Sequence, residues 1–208
     1  MSAVLFDLDG TLIVSEGVVS LALADASREH GLPWNEALAR WAVGRTWDSV
    51  FAELEKPLPQ AGRRSFRART LELYEAHDLV LVPGAQELVH ALVGRVPVGI
   101  VTGSTRPQLE RAIDVLGLRD KLDVTVSEED VARSKPHPEP YQRAMRFLGV
   151  GRALVFEDST AGIAAGIAAG CHVVAVRHAD EVGQDQSQAH EAVEDLVGLS
   201  PDWCLARF

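Results

Sequence analysis

Two acidic side chains stand two residues apart at the end of a short apolar run, in Val4-Leu5-Phe6-Asp7-Leu8-Asp9-Gly10-Thr11-Leu12. Carboxylates this close repel, and each is driven toward its protonated form unless a cation or hydrogen-bond donors lie between them. A hard cation such as Mg²⁺, which takes oxygen ligands from one or two carboxylates and from a substrate phosphate, relieves that conflict. One carboxylate could then attack phosphorus, and the other could carry the proton of the leaving alcohol. Alone, Asp-x-Asp-Gly describes an ordinary turn after a strand. Three groups further along the chain give it company.

Thr102-Gly103-Ser104 offers a hydroxyl and backbone N–H groups at a helix start, a natural cradle for phosphate oxygens. Lys135 precedes Pro136 in the rigid turn Lys135-Pro136-His137-Pro138 and can neutralise a phosphoryl oxygen as charge develops. Glu157-Asp158 ends another apolar run and offers carboxylates for the far side of a cation. Each alone has a bland explanation: a helix cap, a surface lysine, a charged loop. Together they are the parts that phosphoryl transfer needs, because its catalysis is mostly positioning and charge stabilisation.

The elements that must position them alternate. Apolar runs at residues 4–6, 96–101, 123–126, 153–156 and 171–176 read as strands buried on both faces. Helical periodicity separates the later ones, at residues 85–92, from 104 or 105 to 116, 139–148 and 161–169. Gly117 and Gly149 are helix stops, and the Ala-Gly repeat of the last helix makes a flat face for close packing on the sheet. Ligands of open α/β sheets gather at the carboxyl ends of the strands, where all four groups fall. A plain βαβ unit needs about 30 residues, yet roughly 80 separate the first two strands. The surplus reads as an inserted helical domain over residues 15–82, with core segments 1–14 and 83–208. Helices are expected there at 17–31, 36–44, 46–54 and 63–77. The insert leaves from the catalytic end of the first strand, so it can serve as a lid. Arg63, Arg64, Arg67 and Arg69 read as a solvated helix face, and the tail from 179 onward as polar with a short helix.

A chain of 208 residues with 47% hydrophobic and 24% charged residues is ordinary globular protein. Its net charge of −10 argues against nucleic acid or an anionic membrane as partner, since both ask for a basic face. Cys171 and Cys204 have no metal-ligand spacing and read as free thiols of a reducing cytoplasm. The first residues lack the basic start of a signal peptide, and no stretch nears the ~18 apolar residues of a membrane span. A monomer or weak homo-oligomer is expected. Lys56, Lys121 and Lys135 are the only lysines among 20 basic residues, which makes each worth inspecting at a tight phosphate site.

As a set, Asp7-Leu8-Asp9-Gly10-Thr11-Leu12, Val101-Thr102-Gly103-Ser104, Ser134-Lys135-Pro136-His137-Pro138-Glu139-Pro140-Tyr141 and Phe156-Glu157-Asp158-Ser159 resemble the four motifs of the haloacid dehalogenase superfamily of phosphatases. The resemblance covers the core and, by its position, the insert. It implies a Rossmann-like three-layer α/β core with a parallel sheet of order 5-4-1-2-3 and a helical cap after strand one. It implies Asp7 as nucleophile and Asp9 as general acid and base. Mg²⁺ would be held by the Asp7 carboxylate, the Asp9 backbone carbonyl and Asp158, with Glu157 close behind these ligands. Thr102 and Lys135 would hold the phosphoryl group, with Gly10, Gly103 and Ser104 around it.

Within the superfamily the chain is most similar to the glycerol-phosphate and sugar-phosphate phosphatases, in the group that includes β-phosphoglucomutase. Besides the core motifs, the insert segment Gly44-Arg45-Thr46-Trp47-Asp48-Ser49-Val50 carries this likeness. Arg45 is then a candidate substrate contact, with a structural ion pair as its alternative. Val14 replaces an Asp common in the family, and Gly17-Val18-Val19-Ser20 lacks the histidine that the mutases carry early in the cap. The resemblance therefore implies Mg²⁺-dependent hydrolysis of small sugar, polyol or glycerol phosphates through phospho-Asp7. The alternatives are a sugar phosphomutase, a receiver-like phospho-acceptor module, and a dehalogenase needing neither Mg²⁺ nor a second acid at Asp9.

Overall fold

The computed structural model describes residues 2–42, 45, 47–178 and 183–208. Gly44 and Thr46 of the insert segment lie outside the described residues, as do residues 179–182 of the tail. The strands are β1 (Ser2–Phe6), β2 (Ile13–Val14), β3 (Val80–Leu81), β4 (Val98–Val101), β5 (Val124–Val126), β6 (Arg152–Glu157), β7 (His172–Val176) and β8 (Glu191–Val193). The helices are α1 (Glu16–Glu29), α2 (Glu36–Ala42), α3 (Trp47–Leu54), α4 (Gln60–Ala76), α5 (Ala85–Leu92), α6 (Arg106–Leu116), α7 (Glu139–Leu148), α8 (Thr160–Ala168) and α9 (Pro201–Leu205). Contacts divide the chain into two compact units, Met1–Val14 with Leu81–Phe208, and Ser15–Val80.

The first unit is an α/β sandwich around a six-stranded sheet of order β5-β4-β1-β6-β7-β8, parallel throughout. Successive side chains of a strand point to opposite faces, and Ala3 and Leu5 are as fully buried as Val4 and Phe6, so both faces are covered. On one face Ala3, Leu5, Val101, Val155 and Val173 pack with Tyr141, Ala144 and Met145 of α7 and Ile163 and Ala165 of α8. On the other, Phe6 stacks on Phe156 with ring centroids 4.9 Å apart, and Phe156 on Trp203 of α9 at 6.2 Å.

Helix limits follow local chemistry. Thr105 and Gln108 form a reciprocal capping box that opens α6, and Gly117 closes it. Ser159 caps α8 by accepting a bond from the Gly162 N–H. Besides shifts of one or two residues at other ends and the unexpected short strands β2 and β3, two outlines differ from the sequence expectation. Helix α4 begins at Gln60, three residues early, because extended Pro59 sets its start. The tail holds a strand as well as a short helix: β8 adds to the sheet beside β7, although its three residues carry no legible period.

In the second unit α1 packs on α4 around Leu23, Ala26, Val50, Phe51, Leu54 and Phe66. Its arginines are engaged locally. Arg67 makes two bonds to Glu55, at 2.7 and 2.8 Å, and Arg69 two to Glu29, at 2.8 and 3.0 Å. Among the described residues no helix is long and apolar enough to cross a membrane.

Phe156 fills the seam between β1 and α9, so Phe156→Ala should cost about 3–5 kcal/mol, the usual loss for a buried phenyl ring and the cavity it leaves. Urea unfolding followed by tryptophan fluorescence measures it.

Candidate active site

β1 delivers Asp7 to the carboxyl edge of the sheet, where the Asp7 N–H still pairs with the Phe156 carbonyl at 2.9 Å. The chain then turns sharply, with Leu12 and Ile13 N–H both bonding the Leu8 carbonyl at 2.9 and 3.0 Å. Gly10 sits in this turn at φ 79°. A Cβ there would lie 2.1 Å from Asp158 Oδ2, so only glycine lets the turn approach the carboxylate ending β6. Gly10 was expected near phosphate; its observed neighbour is Asp158.

Lys135 comes from the turn before α7, which is pinned by Ala132 N–H to Glu139 at 2.9 Å and by His137 N–H to the Ser134 carbonyl at 3.0 Å. An ammonium has three N–H groups, and here each finds an acceptor: Asp7 Oδ1, Glu157 Oε1 at 2.6 Å and the Val101 carbonyl at 3.0 Å. Lys135 thus joins the ends of β1, β4 and β6.

Glu157 is fully buried and saturated. Its Oε1 accepts from Lys135 and from the Tyr141 hydroxyl at 2.9 Å. Its Oε2 accepts from Asp158 N–H and Ser159 N–H, both at 3.1 Å, and from the Ser159 hydroxyl at 3.0 Å. A Cβ on Gly162 would fall 1.7 Å from this carboxylate, so the first turn of α8 lies flush on it. A carboxylate has roughly four lone-pair sites, which five donors exhaust. Glu157 is a strut.

Thr102, at the end of β4, is 3% exposed, and its hydroxyl accepts the Ser104 N–H at 2.9 Å. The Ser104 hydroxyl donates to Asp9 Oδ2, while Thr102 Oγ1 lies 3.5 Å from the same oxygen. Asp9 therefore faces the β4 end, and Asp7 faces Lys135. Gly103 is exposed at the tip of that loop. Arg45, in the helical unit, is exposed; its Nε bonds the Trp41 carbonyl at 2.8 Å and its guanidinium lies over the Trp41 ring.

Asp7, Glu157 and Asp158 each bring one carboxylate oxygen within 4.8 Å of the others, all three buried. With Glu157 committed to five donors, Asp7 and Asp158 are the carboxylates that could ligate a cation. An all-oxygen set of this kind suits a hard divalent ion such as Mg²⁺. Burial pushes the Asp7 carboxyl up to about 8; Lys135 opposes the rise, and the Glu157 and Asp9 charges add to it. Burial works against the Lys135 ammonium, but Asp7 and Glu157 outweigh it and hold its pKa above the usual lysine value. The Tyr141 phenol is likewise pushed up, by burial and then by the Glu157 charge, and stays a donor.

Two residues of this site had no role assigned from the sequence: Tyr141, although it lies within a motif, and Ser159 as a partner of Glu157. The signal was present: a tyrosine six residues after Lys135 on a helix start, and a Ser able to cap α8 beside a buried acid.

Two outcomes are expected. Tyr141→Phe should cost about 1.5–3 kcal/mol, the range for a hydrogen bond to a charged group, in urea unfolding. Because folding raises the Asp7 pKa, the folded state binds more protons than the unfolded one between pH 3.8 and about 8. Stability therefore falls as pH rises through that window. In chelator, Asp7→Asn should flatten this slope and melt several degrees above the parent at pH 8 but not at pH 4.

The family model of a haloacid dehalogenase-like hydrolase matches residues 1–170. The chain is 39% identical over 176 residues to validoxylamine A 7'-phosphate phosphatase of Streptomyces hygroscopicus subsp. limoneus, covering 82% of this chain and 83% of that one. It is 33% identical over 187 residues to hexitol phosphatase A of Escherichia coli, covering 83% and 81%. Among solved structures, CbbY from Rhodobacter sphaeroides in complex with phosphate superposes with a TM-score of 0.80 at 24% identity, covering 97% of this chain and 98% of that one, a likeness of fold. With most of its length matched and its acidic strand ends converging, the chain belongs to the haloacid dehalogenase-like hydrolases.

Proposed function

We propose that this protein is a Mg²⁺-dependent phosphatase that hydrolyses small phosphate monoesters of sugars, polyols or glycerol through a phosphorylated Asp7. The observation that carries the reading is the Lys135 ammonium shared between Asp7 and Glu157, with the Asp158 carboxylate beside them. By their names, one of the two relatives is a phosphatase of validoxylamine A 7'-phosphate and the other a hexitol phosphatase, which supports a small phosphate ester as substrate.

Asp7, Asp158 and the Asp9 backbone carbonyl would hold Mg²⁺, which supplies positive charge for the phosphate oxygens and lets the two carboxylates stay ionised together. Lys135 fixes Asp7 through Oδ1 and opposes the rise that burial imposes on its pKa; with the cation's charge beside it, Asp7 would be the carboxylate that attacks. The Asp7–phosphorus bond forms as the bond from phosphorus to the ester oxygen breaks. Asp9, entering protonated, gives its proton to the departing alkoxide. A water then attacks phosphorus and passes a proton to Asp9, the Asp7–phosphorus bond breaks, and inorganic phosphate leaves. Ser104 bonds Asp9 while Lys135 bonds Asp7, so the acid and the nucleophile are oriented by different partners. Thr102 and Gly103 are the groups we assign to the phosphoryl oxygens, together with the charge of Lys135. Choice among substrates is assigned to the inserted helical unit, with Arg45 as its side chain to test.

Phosphate release from a panel of sugar, polyol, glycerol and nucleotide monophosphates tests the reading. The parent should turn over polyol or sugar phosphates in Mg²⁺ and stop in chelator. Asp7→Asn should lose at least about 10³-fold in kcat, since a carboxamide cannot replace the nucleophile. Asp9→Asn should fall about 10²- to 10⁴-fold, the usual worth of a proton-transfer group. Equal rates for Asp7→Asn and parent would remove Asp7 from the mechanism.

A further inference from the structure

The tail beyond β7 carries a feature that neither the motifs nor the resemblance touches. At the carboxyl edge, Gln186 Nε2 donates to the Asp158 carbonyl at 2.6 Å and to the Val176 carbonyl at 3.0 Å. These are the carbonyls just past the end of the β6–β7 ladder, whose last paired residues on β6 and β7 are Glu157 and Ala175. A primary amide has two N–H groups on one nitrogen, and both are spent on two oxygens that can only accept. Two residues earlier Gln184 presents the opposite end: its Oε1 accepts the Thr160 N–H at 3.1 Å and the Thr160 hydroxyl at 3.0 Å. The Thr160 hydroxyl also reaches the Asp185 carbonyl at 3.0 Å.

We infer that Gln186 is a positioning residue for the Asp158 carboxylate, clamping its peptide from outside the sheet while Glu157 clamps it from inside. The inference rests on Asp158 being a metal ligand, as proposed above. The Asp158 N–H goes to Glu157 and its carbonyl to Gln186, so both peptide groups around its Cα are fixed, and with them the direction in which the side chain leaves the backbone. Gly10 lies directly against that side chain, so there is no slack on the β1 side either. A neutral amide suits this position because it supplies two donors and adds no charge next to a cation site. Gln184 and Thr160 hold the same loop to the first residue of α8, and so act on Asp158 at one remove.

Groups that orient a metal ligand typically cost about 10- to 100-fold in metal affinity when removed. Acting through the peptide, Gln186 should fall at the lower end. Isothermal titration of Mg²⁺ into the full chain, compared across parent, Gln186→Ala, Thr160→Val and Asp158→Asn, reads this without turnover. Gln186→Ala should bind Mg²⁺ about tenfold more weakly with a native circular dichroism spectrum, and its kcat should recover at high Mg²⁺ with the ester KM unchanged. A lower melting temperature with parental Mg²⁺ affinity would make Gln186 merely structural and overturn the inference. If Gln186→Ala does not fold, Thr160→Val decides on the same criterion, with a smaller loss expected. Asp158→Asn separates the two levels. If it binds Mg²⁺ as the parent does, the metal role of Asp158 fails and this inference with it. If it loses Mg²⁺ while Gln186→Ala does not, only the role of Gln186 is refuted.

Discussion

The arrangement depends on one ammonium group shared by two buried carboxylates. Lys135 touches Asp7 and Glu157, and all three side chains are nearly removed from solvent. Ions taken out of water are tolerated only when paired and fully hydrogen-bonded, and this triad meets that demand almost atom by atom. The third Lys135 N–H goes to a strand-end carbonyl, and the far oxygen of Glu157 takes two amides and a hydroxyl. Asp7 and Glu157 with Lys135 carry one net negative charge, and Asp158 adds a second. A divalent cation would neutralise that sum. The same arithmetic explains why burial raises Asp7 so far when protein groups alone surround it.

The sheet provides the rigidity this demands. Parallel strands whose side chains are buried on both faces cannot slide by a residue without turning charged ends inward. Most of the site's polar groups also sit at or next to a strand end. Asp7 is one residue past β1, Thr102 one past β4, and Asp158 one past β6. Lys135 alone comes from a longer loop, and that loop is tied down by Glu139 at the start of α7.

Much of this was legible in the sequence because its signals are local. Buried parallel strands appear as uninterrupted apolar runs, and helix ends as Ser104 or Thr105, Gly117 and Gly149. Three of the four chemical groups announce themselves by following those runs directly; Lys135 is marked instead by the prolines around it. What was not legible depends on partners far apart in the chain. Nothing near Glu157 reveals that Lys135 and Tyr141 will saturate it, so the sequence placed it behind the metal ligands without showing what it holds. Arg63 and Arg64 of α4 are exposed, but the ion pairs of Arg67 and Arg69 were not legible because Glu55 lies in the turn after α3 and Glu29 on α1. The tail was opaque for a different reason. β8 has three residues, each at least partly exposed, and Gln184 and Gln186 act through amides that any polar loop might contain. Hydrophobic period carries no information about such contacts.

The way the insertion is joined to the sheet unit has an evolutionary side. The Val82 N–H meets the Leu12 carbonyl at 3.0 Å, so the chain departs and comes back at nearly the same point. With its ends already closed by the sheet unit, the intervening segment can lengthen or shorten at little entropic expense, since doubling a loop costs only about 0.6 kcal/mol. Such a doorway lets a lineage exchange one insertion for another while the charged edge of the sheet unit keeps its residues, so the inserted part can diverge without refolding the core.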